Sequence, residues 1–133
     1  MPLDVKQVSA GYYEKIDVIH DISLRAEDAK ATCIVGPNGS GKSTLLRTIY
    51  GFLRPRTGAI TYNETDITDI PSSELLELGM AFITQERNVF PHMSVEENLE
   101  LGAWTLRGNR KKVRSRVETV YGRYPILKER KKV

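Results

Sequence analysis

Gly36-Pro37-Asn38-Gly39-Ser40-Gly41-Lys42-Ser43-Thr44 is the stretch that decides how this chain reads, because it matches G-x-x-x-x-G-K-[ST] in full. A short apolar run at residues 31–35 precedes it, and Leu45, Leu46 and Ile49 follow at helical spacing. Strand, glycine-rich loop and helix are expected in that order. Gly36, Gly39 and Gly41 permit backbone conformations closed to other residues, so several amides can converge on one anion. The loop also aims the positive end of the helix at that anion. Lys42 is expected to reach the β and γ phosphates of a nucleotide, and the Ser43 hydroxyl to be one ligand of Mg2+, which favours oxygen donors. The alternative, a glycine-rich turn with a chance lysine, needs the spacing, the flanking elements and the Gly-Lys-Ser-Thr ending to coincide. The motif by itself implies nucleotide binding and no particular reaction.

Residues 3–8 alternate as a strand does, and residues 18–24 read as a second strand after the turn around Gly11, so the two are expected to pair as a β-ribbon. Residues 59–62 are a third strand candidate. Pro71 opens a short helix carrying Leu75, Leu76 and Leu78, which Gly79 can end in a left-handed cap. Residues 80–84 then read as a buried strand leading to Gln85. The character beyond is helical. Ser94-Val95-Glu96-Glu97 has the form of a capping box, predicting a helix to about Ala103. Val113, Val117, Val120, Tyr121 and Tyr124 fall on one face of a further helix that ends before Pro125.

With 133 residues, 40% hydrophobic and 28% charged, the chain has the size and composition of one ordinary globular domain. No apolar run approaches the roughly 18 residues of a membrane span, and no signal peptide pattern opens the sequence. A cytoplasmic location is expected. Cys33 has no internal partner, and its neighbours Thr32, Ile34 and Val35 suggest a buried thiol. The net charge of +3 conceals an asymmetry, since residues 107–133 hold eleven Lys or Arg against two acids. Such a tail suits nucleic acid, an anionic membrane surface, or a solvated helix whose counter-charges lie elsewhere in the protein. Without aromatic interleaving or a recognisable nucleic-acid module, the solvated helix is the preferred reading and nucleic acid is not expected as a partner.

The strings GPNGSGKSTLLRTIYGFLRPRTGAI, ITQERNVFPHMSVEENLELGA and YPILKERKKV resemble the ATP-binding subunits of ABC transporters, most narrowly those for branched-chain amino acids. The resemblance covers nearly the whole chain. It implies an α/β fold: a P-loop NTPase core with a small antiparallel β-ribbon over residues 1–91, and the start of a helical subdomain over 92–133. It implies that Gly36, Pro37, Asn38, Gly39, Ser40, Gly41, Lys42, Ser43 and Thr44 bind ATP with Mg2+. It also implies an aromatic that stacks on adenine, for which Tyr12 is the best match and Tyr13 the alternative; either ring can instead simply pack the ribbon. Gln85 matches the glutamine that joins the Mg2+ shell and orients the attacking water, so Lys42 and Gln85 are the expected catalytic side chains and Ser43 and Gln85 the expected metal ligands. Residues 86–95 would face the membrane partner, with Phe90 and Met93 as apolar anchors or as ordinary core residues; His92 is expected to be exposed.

The implied setting is amino acid import through transmembrane permease subunits, with two ATP-binding subunits closing head to tail on the inner face of the cytoplasmic membrane. The sequence ends at Val133, where the resemblance would continue into the LSGGQ-type signature and the Walker B strand. Catalysis in this class rests on charge stabilisation around the γ phosphate, so no appreciable ATP hydrolysis is expected from this chain alone. Apolar sheet edges would also make it marginal as a folded unit. Two smaller departures are Ala29-Lys30 in place of Gly-Glu, and Asn63-Glu64-Thr65 without a turn glycine. The reading from another class is a non-catalytic nucleotide-binding or regulatory fragment whose basic tail touches nucleic acid or anionic lipid. A P-loop kinase is a further alternative, but it leaves Gln85 and the VFPHMSVEENL segment without a role.

Overall fold

The structure is a computed structural model that describes residues 2–13, 16–86 and 88–133. The chain forms two compact units, Met1–Phe82 and Ile83–Val133.

In the first unit, β1 (Leu3–Ala10) is the strand on which the others are assembled. It pairs antiparallel with β2 (Ile19–Ala26) on one side and β3 (Thr57–Tyr62) on the other, and β4 (Thr65–Asp66) completes the order β2-β1-β3-β4. The expected ribbon is therefore present, enlarged to four strands. Val5 lies opposite Leu24 and Ile60, and Val5, Val8, Ala10, Ile19 and Ile60 are all buried. The helix α1 (Lys42–Ile49) adds Leu45 and Ile49 to the same cluster, which Tyr50, Ile67 and Leu75 complete. Each such fully buried aliphatic side chain contributes about 1.5 to 3 kcal/mol relative to exposure. Gln7 and Asp21 take left-handed φ values of 50° and 48° near irregularities in the β1–β2 pairing, and the hydroxyls of Ser23 and Ser9 accept their amides at 2.9 and 3.0 Å.

The helix α2 (Ser72–Glu77) begins after Pro71 and ends as its sequence predicts. Gly79 has φ 89°, its N–H donates to Leu76 O at 3.1 Å, and the Met80 N–H donates to Leu75 O at 3.0 Å. This pair of bonds is the Schellman motif.

Two expected strands are absent. Residues 31–35 and 80–84 have no ladder partner among the described residues. Both were read from apolar runs, which mark a strand buried on both faces; such a strand also needs a neighbour to take its backbone groups. Ile34, Met80 and Phe82 still pack on the core, whereas Val35 and Ile83 are 88% and 83% exposed. Cys33 is exposed as well, contrary to the buried thiol its neighbours suggested.

Both sequence departures coincide with backbone that disfavours a side chain. Ala29 has φ 55°, and the β3–β4 turn puts Asn63 at 48° and Glu64 at 66°. A two-residue hairpin turn with two positive φ values takes Asn first and Gly second, and here the second residue carries a Cβ. Ala29→Gly and Glu64→Gly should each stabilise the chain by about 0.5 to 1 kcal/mol. The check is an increase in the urea midpoint at unchanged slope.

The second unit contains α3 (Val95–Gly102), a single 3-10 turn at Trp104–Leu106, α4 (Arg110–Arg123) and α5 (Pro125–Glu129). The capping box is formed: Ser94 N–H donates to Glu97 Oε2 at 2.7 Å, and Glu97 N–H to Ser94 Oγ at 3.3 Å. Hydrogen bonds from the Ser94 hydroxyl and amide hold the Glu97 carboxyl below the usual range. The two preceding free amides, Val95 and Glu96, donate to Val133 O and Lys131 O, each at 3.0 Å. On α4, Val117 and Tyr121 are buried as the periodicity predicts, while Tyr124 is 53% exposed. The helix ends before Pro125 as its sequence predicts, and α5, which was not expected, has its signal in Pro125 at its first position. Of the basic side chains, Arg107, Arg110, Arg114 and Lys131 share one cleft with Glu96, Glu97, Glu100 and Glu118. That part of the tail has its counter-charges close by.

Candidate functional site: a glycine loop at a helix N-terminus

Residues 36–40 form an exposed loop that runs into α1 through Gly41, which is buried at φ 87°. Gly39, at φ 83°, makes the second left-handed step. A Cβ on Gly41 would lie 2.6 Å from Ile19 Cγ2, so a side chain there is excluded by space as well as by conformation. The first turn of α1 has no side-chain cap and no acidic residue. Its free amides and the helix dipole therefore present a positive end with nothing of opposite charge built in.

Lys42 sits at the first position of that helix, half-buried, and its ammonium turns back over the loop. Nζ donates to Gly36 O at 2.9 Å and Pro37 O at 2.7 Å, with Ser40 Oγ at 3.5 Å. These partners are dipoles, and no carboxylate among the described residues pairs with Lys42. The next two side chains diverge: Ser43 is exposed beside the loop, whereas Thr44 is buried and its carbonyl accepts from Thr48 Oγ1 at 2.9 Å. The arrangement thus gathers a cation, a helix N-terminus, a glycine-lined loop and one free hydroxyl. Its chemistry is that of a receptor for a multiply charged oxyanion and for a hard cation carried with it.

Val18 and Ile19 of the same unit lie against this loop. Val18 O would stand 3.4 Å from a Cβ at Gly41, and the Val18 N–H donates to Ala10 O at 2.8 Å. Tyr12 is about half exposed, and its hydroxyl accepts from Arg47 of α1 at 3.4 Å. Tyr13 is 73% exposed and bridges to Ile16. The guanidinium of Arg56 donates to Asp17 Oδ1 and to the carbonyls of Tyr13 and, at 3.4 Å, Ile16. Arg47 and Arg56 escaped the sequence reading, since their partners are 35 and 39 or more residues away.

Gln85 belongs to the second unit, where it is exposed on a bend. Asn88 laces that bend: its Oδ1 accepts from Thr84 N–H at 3.2 Å and from Thr84 Oγ1 at 2.8 Å, while its Nδ2 donates to Thr84 O at 2.8 Å. Asn98 does the same for the following segment, donating to the carbonyls of Phe90, Met93 and Ser94 at 3.0 Å and accepting the Phe90 amide at 2.8 Å. An asparagine inside a helix is a poor helix former, and that is the signal which marks Asn98. Phe90 is 56% exposed, Met93 is half-buried and His92 is exposed. No cluster of three or more His, Cys, Asp or Glu suited to a metal occurs among the described residues, nor any helix long and apolar enough to cross a membrane.

A family model described as ABC transporter matches residues 19–133. Over 122 residues the chain is 35% identical to a probable branched-chain amino acid transport ATP-binding protein, LivF, of Archaeoglobus fulgidus, covering 92% of this chain and 50% of the relative. It is 34% identical over 119 residues to the high-affinity branched-chain amino acid transport ATP-binding protein BraG of Pseudomonas aeruginosa, covering 90% and 50%. The chain thus spans about half the length of these relatives. The crystal structure of a nucleotide-free ATP-binding cassette from an ABC transporter superposes with a TM-score of 0.80 at 25% identity, covering 99% of this chain and 57% of that one.

Proposed function

Because the chain belongs to the ABC transporter family, we propose that residues 36–44 hold the phosphates of ATP with Mg2+, as part of a subunit that drives branched-chain amino acid import. The observation that carries this reading is the Lys42 ammonium, held over the glycine loop at the uncapped start of α1 and neutralised only by carbonyl dipoles. A phosphate chain offers the anionic oxygens that this charge and the free amides lack. Gly36, Pro37, Asn38, Gly39, Ser40 and Gly41 supply the backbone, Lys42 the charge on the β and γ phosphates, and Ser43 an oxygen for the metal, which supplies further charge neutralisation when bound. Tyr12, tethered to α1 through Arg47, offers its ring to the adenine.

Gln85 is assigned to the metal shell and the attacking water, and Lys42 and Gln85 are the catalytic side chains of the intact site. The cargo assignment rests on the names of the two relatives. Transmembrane permease subunits and a second ATP-binding subunit are the proposed partners, at the inner face of the cytoplasmic membrane. The test is a thermal shift of the chain with Mg2+ and ATP beside Mg2+ and AMP. At a ligand concentration 100 times Kd the stabilisation is about 2.7 kcal/mol, a shift of several degrees for a domain of this size. ATP should produce it and AMP, lacking the β and γ phosphates, should not. Equal responses to both would refute the assignment.

A further inference from the structure

We propose that Arg56 is a positioning residue for the turn that carries the base-binding aromatic, so that it governs affinity for the nucleoside part of the ligand without touching it. This inference rests on the nucleotide assignment above. Arg56 stands just before β3, where its own N–H donates to Ser9 O at 2.8 Å and so anchors it beside the end of β1. From there its guanidinium reaches three groups of the turn that leaves β1: Asp17 Oδ1, Tyr13 O and Ile16 O. A planar fork of five donors suits one carboxylate and two carbonyls at once, whereas an ammonium is a point charge without that geometry. The Arg56 and Asp17 side chains are only 29% and 26% exposed, so this is not a freely solvated surface pair.

The described residues of this turn are also held from other sides. Ile16 N–H donates to Tyr13 O at 3.0 Å, and a Cβ on Gly11 would fall 1.9 Å from Ile16 O. Residues 18 and 19 then run directly against Gly41 of the phosphate loop. Tyr12 lies between these fixed points, with its hydroxyl on Arg47. Removing the Arg56 guanidinium leaves the Tyr13 carbonyl with only the Ile16 N–H, takes the guanidinium from the Ile16 carbonyl and leaves Asp17 without this ion pair, while Ile19, Gly41 and α1 keep their packing. The ring loses its preset position, and the phosphate receptor does not.

The experiment is calorimetric titration of the full chain with Mg2+ and ATP and, separately, with Mg2+ and inorganic tripolyphosphate, which lacks the nucleoside. Arg56→Ala should weaken ATP about tenfold, within the range that loss of one base–aromatic stack commands, and leave tripolyphosphate unchanged. Arg56→Lys should fall between. In a Tyr12→Ala background, Arg56→Ala should cost ATP nothing further. Equal ATP affinity in the wild type and Arg56→Ala would overturn the proposal, as would parallel losses for both ligands with a lowered melting temperature, or effects of Arg56→Ala and Tyr12→Ala that simply multiply. A wild type that binds neither ligand overturns the nucleotide assignment itself, an outcome distinct from a wild type that binds both while Arg56→Ala matches it.

Discussion

Lys42→Ala should remove the thermal shift produced by Mg2+ and ATP and raise the Kd about a hundredfold or more. A hydrogen bond to a charged group contributes about 1.5 to 3 kcal/mol, Lys42 is assigned such bonds to two phosphates, and each 1.4 kcal/mol is a factor of ten in affinity. The effect belongs to this lysine because, among the described residues, no other side-chain cation hydrogen-bonds to the loop carbonyls, and the start of α1 has only its amides besides. Lys42→Arg is the sharper control, since it keeps the charge but brings a bulkier planar head to carbonyls only 2.7 and 2.9 Å from Nζ. It should recover little of the lost affinity. Without nucleotide, Lys42→Ala should melt close to the wild type, because the side chain is only half-buried and its partners are exposed loop carbonyls that water can satisfy. A variant that folds and still binds ATP as the wild type does would remove Lys42 from the site.

The second large effect is on folding. Gly58 stands at φ 83° in β3, and a Cβ there would lie 2.3 Å from Lys6 O and 2.4 Å from Gln7 O. Those oxygens belong to β1 at the irregularity between Lys6 and Ser9, so the clash falls on backbone that β2 holds from the other side. No rotamer relieves it. Gly58→Ala should destabilise the first unit by roughly 3 to 5 kcal/mol, from left-handed strain plus displacement of the central strand. The measurement is the urea midpoint, together with amide exchange of Val5 and Ile60. A variant within 1 kcal/mol of the wild type would mean that β1 and β3 separate at this point without cost.

Features set by near neighbours in the sequence were legible. The glycine loop, the cap formed by Ser94 and Glu97, and the end of α2 at Gly79 each depend on residues within a few positions of one another. The ribbon was legible too, because alternation in residues 3–8 reports a half-buried strand. The same logic misled at residues 31–35 and 80–84. An apolar run records which side chains avoid water, and Ile34 and Phe82 do pack inward, but hydrophobicity says nothing about where the backbone groups find partners. At the candidate site, the residues that line the loop could be read from the motif. Those that hold its surroundings could not. Arg56 and Arg47 act through backbone atoms or through partners brought near only by the fold, and a carbonyl leaves no trace in composition or spacing.

The three contacts of the Lys42 ammonium bear on what binding costs. A lysine free in solvent loses as much as 1.5 to 2 kcal/mol of side-chain conformational entropy when it is immobilised. Here the chain itself has already restricted the side chain by bonding it to Gly36, Pro37 and Ser40. That loss falls on folding, and an arriving anion meets a charge whose rotamers have been chosen beforehand.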